Sequence, residues 1–501
     1  MAIKRKSAKK GTDLAAGSKA AGSKQVSVWE DDPGEPGSQP SINPIAVPAP
    51  NPAAAPLPFK ISGKTPAPQL YQPGTANFRF WAAAAALRRT ADFWTKIVPQ
   101  GTKWEVGNVL AVQLDSGVDL NAFYTRGEDG NTPGLHFFHQ AVSGNTFFSG
   151  ESPDVVCHEM GHGILDAIRP QLFDAQTIEA AAFHEGFADC SALLSALQAP
   201  SFRQMVLTET QGKLNRASRL SRLAEQLGFA IRQLQPDAVD PDCLRNAVNS
   251  FFYADPQTLP PSAPASQLSS EPHSFSRVFS GAFLDLLAGI LLTINSTPAS
   301  DDVLKATEDA ARILVNAVLE APVAPDYFSQ VAAHMISVGA AAPFNGKYTT
   351  VLKSSFVRRG ILSLQGAATL SSLAAQPRRA AITGRGAAVK PGALPKAAIS
   401  AAGYGLKKSA VTVHTASEPK KLAIAAASPT LGSIEPRSAQ NTAEFFTEDL
   451  FQRGHVDVGN YGDPAAGLHH SRAFQTHLIV AEPNGDLLLK RTKFDCGFRG
   501  R

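Results

Sequence analysis

A His-Glu-x-x-His pattern at residues 158–162, followed by Glu185, constrains this chain more than any other feature of its sequence. On a helix, His158 and His162 lie one turn apart on the same face, so both imidazoles can bind one ion. Glu159 lies beside them, where it can act on a metal-bound water rather than bind the metal. Catalytic zinc sites use three protein ligands, and Glu185, on a second helical stretch, can be the third. The pattern therefore predicts a zinc site shared by two helices.

Asp189 strengthens this interpretation, because it follows Glu185 at the same one-turn spacing. Metal-bound histidines usually donate their free N–H to a carboxylate, and Asp189 is suited to that role for His158. The alternative is a solvated acidic face, but alanines and phenylalanines surround both carboxylates along residues 180–188. Carboxylates in so apolar a helix need partners.

Other histidines are weaker candidates for the site. The five-residue pattern alone also occurs by chance, with histidines that merely pack in the surface or core. His184 is a rival third ligand, and we favour Glu185 because only Glu185 has an aspartate four residues later. We expect His136 and His139 to be packing or loop residues.

Composition indicates a globular protein without a strongly charged partner. The 501 residues are 44% hydrophobic and 18% charged, and the formal charge of +4 does not favour a nucleic-acid binder. Four scattered cysteines are too few for a disulfide framework. The basic start is not followed by an apolar signal region, and the longest apolar run, residues 278–294, contains Asp285. We expect a cytoplasmic protein with no membrane span.

Composition also divides the chain. Residues 1–74, rich in Pro, Ala, Ser and Lys, are expected to be a disordered tail. A lobe with a small, mainly antiparallel sheet and the first metal helix is expected at 75–176, and a helical lobe at 177–375. Residues 376–440 indicate a flexible linker, and 441–501 a small segment whose hairpin turns at Glu482-Pro483-Asn484-Gly485.

Helical patterns fill most of the chain after the sheet. The first helix is expected at residues 76–97, and the helix that bears His158 should begin at Pro153 or Asp154. The further predicted helices are 177–198, 201–211, 217–234, 240–251, 274–294, 301–320, 326–338 and 347–359.

The two metal-binding segments resemble those of the thermolysin-like gluzincin peptidases. "DVVCHEMGHGILD", residues 154–166, is similar to that family's first metal helix, and "AAFHEGFADCSALL", residues 181–194, is similar to its second. The helix at 76–97 resembles the family's opening helix. The likeness spans about residues 76–375. It implies an α+β, two-lobed peptidase with one zinc ion and with Glu159 as general base.

The resemblance also implies how substrate binds. Asn121-Ala122-Phe123-Tyr124 is similar to the edge strand that holds the peptide in that family, so Asn121 and Ala122 would fix the substrate backbone. Adding a strand to a sheet edge aligns a scissile bond through main-chain hydrogen bonds.

Further site residues follow from the same resemblance. The segments around Arg245 and His273 look like those that bear the family's substrate-binding arginine and its transition-state histidine. Arg245 would hold a substrate carbonyl, and His273 would stabilise the developing oxyanion. Val155 and Leu244 fall where the resemblance places the pocket for the residue after the cleaved bond, which implies an apolar preference.

The chain also departs from that family. No tyrosine lies between Gly163 and His184, where the family has one, and "CSALLSALQAPSF" lacks the acidic residues that bind structural calcium. We therefore expect no double calcium site. We also expect no counterpart of the secretory signal and folding pro-domain that the secreted members of that family have.

These observations predict a zinc-dependent endopeptidase that acts on peptides or proteins. An alternative is a catalytically weak or inactive zinc-binding scaffold of the same fold, which the missing tyrosine favours and the intact Glu159 disfavours. A third hypothesis, a nucleic-acid-associated protein with basic tails, depends only on Lys- and Arg-rich terminal segments, which are more often solvated.

Overall fold

The computed structural model describes residues 24–37, 42–49, 57–373, 392–418, 426–427, 433–434, 437–463 and 475–497. This part of the chain is a mixed α+β structure. The helices are α1 (Ala76–Thr95), α2 (Pro153–Ile168), α3 (Gln171–Asp174), α4 (Ile178–Ala196), α5 (Pro200–Thr210), α6 (Glu225–Leu234), α7 (Pro272–Ile294), α8 (Ser300–Glu320), α9 (Tyr327–Ala340), α10 (Thr349–Arg358), α11 (Leu364–Leu373) and α12 (Ala439–Gln452).

The strands are short and lie mainly near the two ends of the described chain. They are β1 (Gln25–Val28), β2 (Asn43–Ala46), β3 (Phe59–Ile61), β4 (Leu110–Gln113), β5 (Ala122–Thr125), β6 (Gly134–Phe137), β7 (His139–Val142), β8 (Asn145–Phe148), β9 (Arg222–Leu223), β10 (Arg245–Asn246), β11 (Lys396–Ser400), β12 (Ala410–His414), β13 (Ala426–Ala427), β14 (Ser433–Ile434), β15 (Val456–Asp457), β16 (His477–Ala481), β17 (Leu487–Arg491) and β18 (Lys493–Asp495).

Helices α2 and α4 form the centre of the structure and pack closely on each other. The N-terminus of α2 is capped by Ser152, whose hydroxyl accepts a hydrogen bond from the Val155 N–H, and Pro153 occupies the first turn. Thr177 caps α4 in the same way. At Gly161 a Cβ atom would lie 2.8 Å from the Ala188 Cα, so the two helices approach each other across a glycine. The start of α2 at Pro153 is as predicted.

A five-stranded sheet, in the order β18-β5-β6-β4-β3, covers one side of α2. The pairs β3–β4 and β4–β6 are parallel, whereas β5–β6 and β18–β5 are antiparallel. The prediction of a mainly antiparallel sheet is therefore wrong for half of its pairings. Tyr124 of β5 donates a hydrogen bond to Asp166 of α2 at 2.6 Å, and Arg126 pairs with the same carboxylate. These contacts fix β5 beside α2.

The predicted helix at 240–251 is not formed, and the predicted helix at 217–234 begins only at Glu225. Short polar side chains satisfy the backbone instead, since Asp240 accepts from the Asn246 N–H and Asn249 accepts from the Phe251 N–H. Such local bonds compete with helix formation. Arg245 and Asn246 consequently extend as β10 and pair with β9.

The segment predicted as a disordered tail contains regular structure in its described part. Strands β1 and β2 form a hairpin, with Val26 and Val28 buried, and β3 adds to the five-stranded sheet. The prediction of disorder came from the average composition of residues 1–74. That average does not show the few apolar residues that these short strands place in the core. Residues 1–23, 38–41 and 50–56 lie outside the described residues.

The last part of the chain forms a second sheet, in the order β11-β12-β17-β16-β15. The predicted hairpin is confirmed, because β16 and β17 pair antiparallel around the turn at residues 482–486. Strands β11 and β12 belong to the segment predicted as a linker and pair with this hairpin. The remainder of that segment lies largely outside the described residues. Beyond β17, strand β18 leaves this sheet and joins the first one.

Helix α7 contains the longest apolar run. Among the described residues it is the one helix whose length and hydropathy would allow it to cross a membrane, and 72% of that apolar window is buried within the protein. It packs against α4 and α8. The prediction of a buried helix at this position agrees with that environment.

Candidate metal centre

Four buried side chains converge at one point between α2, α4 and the end of the chain. His158 and His162 extend from α2, Glu185 from α4, and Cys496 follows β18. One ligand atom from each lies within 4.8 Å of the other three. The described residues contain no other such group of histidine, cysteine or carboxylate side chains. The predicted ligands are thus brought together, with a cysteine added.

The spacing of these atoms would allow one metal ion to contact all four side chains. Zinc–nitrogen and zinc–sulfur bonds of ordinary length place tetrahedral ligand atoms about 3.3–3.6 Å apart. Cys496 Sγ lies 3.1 Å from His158 Nε2 and 3.9 Å from His162 Nε2. Glu185 carboxylate oxygens lie 3.4 Å from His158 Nε2 and 3.7 Å from His162 Nε2. Two imidazoles, a carboxylate and a thiol are also ligand types that zinc accepts.

Asp189 contacts His158, the residue that it was predicted to orient. Its carboxylate lies 3.1 Å from His158 Nδ1, which leaves Nε2 facing the centre. It also accepts hydrogen bonds from the Arg245 guanidinium and the Ser280 hydroxyl, both at 2.9 Å. Burial alone would raise the pKa of Asp189, but Arg245 and His158 hold it well below its usual range. The Asp189 carboxylate is therefore negatively charged, and it contacts three donors, from His158, Arg245 and Ser280.

His184 supports His162 rather than joining the four ligands. The Nδ1 atoms of the two rings lie 3.0 Å apart, so His162 Nε2 points to the centre. Burial, together with the neighbouring His158, lowers the pKa of His162 well below its ordinary value. A neutral imidazole offers the lone pair that a metal requires. This geometry favours Glu185 over His184 as the third ligand.

Glu159 is buried beside the centre, and neither of its carboxylate oxygens has a well-oriented hydrogen-bond partner among the described residues. The nearest donor is the Cys496 thiol. Burial raises the pKa of Glu159 to about 8, and the nearby His158 and the Cys496 thiol partly offset that effect. A buried carboxylate without a partner costs several kcal/mol in an ordinary core, on the order of 2–7 kcal/mol for an uncompensated polar group. A purely structural role does not account for this side chain.

His273 reaches the centre from the first turn of α7. Its Nε2 lies 3.3 Å from a Glu185 oxygen, and its Nδ1 lies 2.6 Å from the Glu271 carboxylate. Glu271 also caps α7 through the Ser274 N–H, so it fixes the helix start and the ring together. Burial lowers the pKa of His273, but Glu185 and Glu271 outweigh it and raise the pKa to about 9.

A small pocket adjoins the centre, with apolar walls at Val155, Leu244 and Leu227. Glu159, Arg245 and Cys496 line its polar side. The structure therefore places Val155 and Leu244, the two residues predicted to form the pocket, together with Arg245 beside the candidate metal ligands. Arg245 retains a buried Nε without a hydrogen-bond partner among the described residues.

Asn121 directly precedes β5 and Ala122 begins it, and β18 occupies the outer side of this strand. The Asn121 side chain donates to Asp119 at 3.1 Å, and its buried Oδ1 is without a partner in the described part of the chain. The Ala122 carbonyl accepts a hydrogen bond from the Cys496 N–H at 2.9 Å. The two residues predicted to hold a substrate thus contact the chain's own C-terminal segment.

Cys496 is the site residue that the sequence did not reveal. It lies more than 300 positions after His158, His162 and Glu185. It belongs to a lone Cys-Gly pair, which has none of the residue spacings typical of metal-binding motifs. His136 and His139 lie outside the cluster: His136 bonds to Ser116 and Thr132, and His139 to Asp115. Polar and apolar residues alternate in Lys493-Phe494-Asp495, directly before Cys496. This alternation was the one local signal that the segment forms a strand.

No protein-family model matches the chain, and no curated protein shows significant similarity to it. What the centre does is therefore inferred from its own residues and geometry.

Proposed function

We propose that this protein is a zinc-dependent endopeptidase of the thermolysin-like gluzincin type, with His158, His162 and Glu185 as the ligands of a catalytic zinc ion. The observation that carries the proposal is the Glu159 carboxylate, which is buried beside these ligands with neither oxygen in a well-oriented hydrogen bond. A metal ion that only stabilises the fold does not need a general base such as Glu159 beside it. When bound, zinc supplies Lewis-acid chemistry at such a centre.

Each neighbouring side chain has a role in peptide hydrolysis. Glu159 takes a proton from the attacking water and returns it to the leaving amine. His273, held by Glu271, donates a ring N–H to the carbonyl oxygen as negative charge develops there. Asp189 holds His158 and Arg245 in place, so the free donors of Arg245 can bind a substrate carbonyl.

Substrate class follows from the strand and the pocket. The outer side of β5, which β18 covers in this structure, can align an extended peptide through backbone hydrogen bonds once β18 is displaced, which permits many sequences. The pocket between Val155 and Leu244 favours an apolar side chain next to the cleaved bond. We therefore expect a peptide or protein substrate with an apolar residue after the scissile bond.

The test is cleavage of a quenched peptide library, with zinc content measured in the same samples. Cys496→Ser is assayed beside the wild type, because Cys496 lies at the centre. Chelator should abolish cleavage. Adding Glu159→Gln to Cys496→Ser should retain zinc and reduce kcat about 10²–10⁴-fold, the contribution of general acid–base catalysis. Unchanged cleavage after Glu159→Gln, or stoichiometric zinc with no cleavage in either parent protein, would contradict the proposal.

A second candidate is a zinc-stabilised scaffold without peptidase activity. The position of Cys496 favours it, since structural zinc sites have four protein ligands and catalytic sites keep one position open. Under this candidate, Cys496→Ser should weaken zinc binding without producing cleavage. The buried Glu159 carboxylate argues against it.

A further inference from the structure

The last described residues of the chain lie along the sheet edge that the proposed function assigns to substrate. Strand β18 pairs antiparallel with β5, with Lys493 opposite Thr125 and Asp495 opposite Phe123. The Cys496 N–H continues the ladder to the Ala122 carbonyl. Because β18 is the outermost strand, β5 would present free backbone groups without it. Residues 493–497, named the C-terminal strand segment, thus bind as an added strand.

Close contacts hold this segment near both of its ends. The Phe494 ring stacks on His184, with centroids 3.9 Å apart, and on His162, with centroids 5.1 Å apart. Phe494 is only 3% exposed. At the other end, a Cβ atom on Gly497 would lie 2.5 Å from Asn121 Cγ, so the glycine permits close contact with the predicted substrate-binding residue. The contacts have the form of a buried aromatic anchor in a pocket.

Between these anchors, Cys496 directs its sulfur to the three predicted zinc ligands. Its Sγ lies 3.1–3.9 Å from atoms of His158, His162 and Glu185. The thiol also lines the pocket that contains Val155 and Glu159. Cys496 therefore occupies the position from which a reacting group would meet both the metal and the general base.

We propose that the C-terminal strand segment is a built-in inhibitor, with Cys496 as the fourth metal ligand, so that the full-length chain is a latent enzyme. This inference rests on the proposed peptidase function. A side-chain sulfur at the centre presents no bond that hydrolysis could break, so the segment blocks the site without being cleaved there. Only Thr492 separates it from β17, which keeps it at high effective concentration. Displacement or removal of residues 493–497 opens the site.

The first test examines the metal rather than activity. Cobalt replaces zinc in the full-length protein, because a thiolate ligand gives cobalt(II) a near-ultraviolet charge-transfer band. The wild type and the control Cys190→Ala, which removes another buried cysteine, should show the band. Cys496→Ser should lose it while retaining one equivalent of cobalt. An unchanged band in Cys496→Ser would overturn the proposal.

The second test asks whether the segment closes the centre. Acetohydroxamate, a small metal chelator, is titrated into the cobalt proteins. It should change the spectrum of Cys496→Ser at concentrations that leave the wild type unchanged. Phe494→Ala keeps the thiol but removes the anchor, and should respond at intermediate concentrations. Equal responses of all three proteins would contradict the proposal that the C-terminal strand segment closes the centre.

The third test measures latency. Cys496→Ser should cleave a quenched peptide at least about tenfold faster than the wild type, the ratio given by a closed state favoured by about 1.4 kcal/mol. Equal rates would overturn the latency. If neither protein cleaves any peptide while the band and hydroxamate differences hold, the peptidase function is contradicted and the closure by Cys496 stands.

Discussion

At the residue scale, two buried carboxyl groups of α4 differ in charge because their hydrogen-bond partners differ. Asp189 contacts His158 and accepts hydrogen bonds from Arg245 and Ser280. Arg245 and His158 hold its pKa below the usual range. Glu179, on the same helix, is also buried but accepts only neutral donors, from the Tyr253 hydroxyl and the Phe328 N–H. A buried carboxyl group is therefore stabilised as an anion at Asp189 and as a neutral acid at Glu179.

Glu179 gives a prediction about pH. Burial raises its pKa from 4.5 to about 8, although both hydrogen bonds oppose the shift. Between those values the folded state holds a proton that the unfolded state has lost, so stability falls as pH rises. One such group contributes a slope of up to about 1.4 kcal/mol per pH unit. Urea unfolding from pH 5 to 8 should show a smaller fall in Glu179→Gln, and identical slopes would contradict this account.

At the element scale, the close approach of α2 and α4 brings the ligands together. His158 and His162 extend from one helix and Glu185 from the other, and Gly161 lies at the contact. A separation of these helices would affect the metal site directly, because its ligand atoms are only 3.4–3.7 Å apart across the interface.

The prediction at this scale compares two glycines. In Gly161→Ala the new Cβ would lie 2.7 Å from Ser191 Cβ and 2.8 Å from the Ala188 Cα, so the helices must shift. We expect a loss of about 1–3 kcal/mol in unfolding free energy and weaker zinc retention against a chelator. The control Gly186→Ala meets Phe279 at an ordinary 3.4 Å and should retain zinc. Equal zinc retention in both variants would contradict the account.

The elements that the sequence predicted correctly are those fixed by local periodicity. Helices α2 and α4 and the relative placement of Glu185 and Asp189 follow from 3.6-residue spacing and capping residues. The failure at 240–251 came from Asp and Asn side chains that bond to the backbone, a preference that apolar periodicity does not contain. Strands β1 to β3 were missed because their apolar residues are few and lie among Pro- and Ala-rich sequence.

At the scale of the whole molecule, the centre joins parts of the chain that are far apart in sequence. The four candidate ligands come from residues 158–185 and from position 496, and β18 crosses from the second sheet into the first. Neither the strand pairing nor the fourth ligand is encoded locally, so the sequence indicated three ligands and left Cys496 unassigned. A metal bound there would stabilise the folded chain across both sheets.

The corresponding prediction concerns metal removal. A ligand that binds only the folded state stabilises it by mass action, by about 4 kcal/mol at a thousandfold excess over its Kd. Chelator should therefore lower the Tm of the wild type, by on the order of 5 °C. The drop should be smaller in Cys496→Ser, which has one ligand fewer. The control His158→Ala should show little further loss, and an equal drop in that variant would contradict metal binding at this centre.

The most direct test of the central claim is X-ray absorption spectroscopy of zinc in the purified full-length protein. We expect one zinc per chain with two histidine nitrogens at about 2.0–2.1 Å, one carboxylate oxygen at about 2.0–2.2 Å and one sulfur at about 2.3 Å. Cys496→Ser should lose the sulfur and keep the two histidines. A zinc shell without histidine, or the absence of zinc from protein loaded with an equimolar amount, would contradict the account.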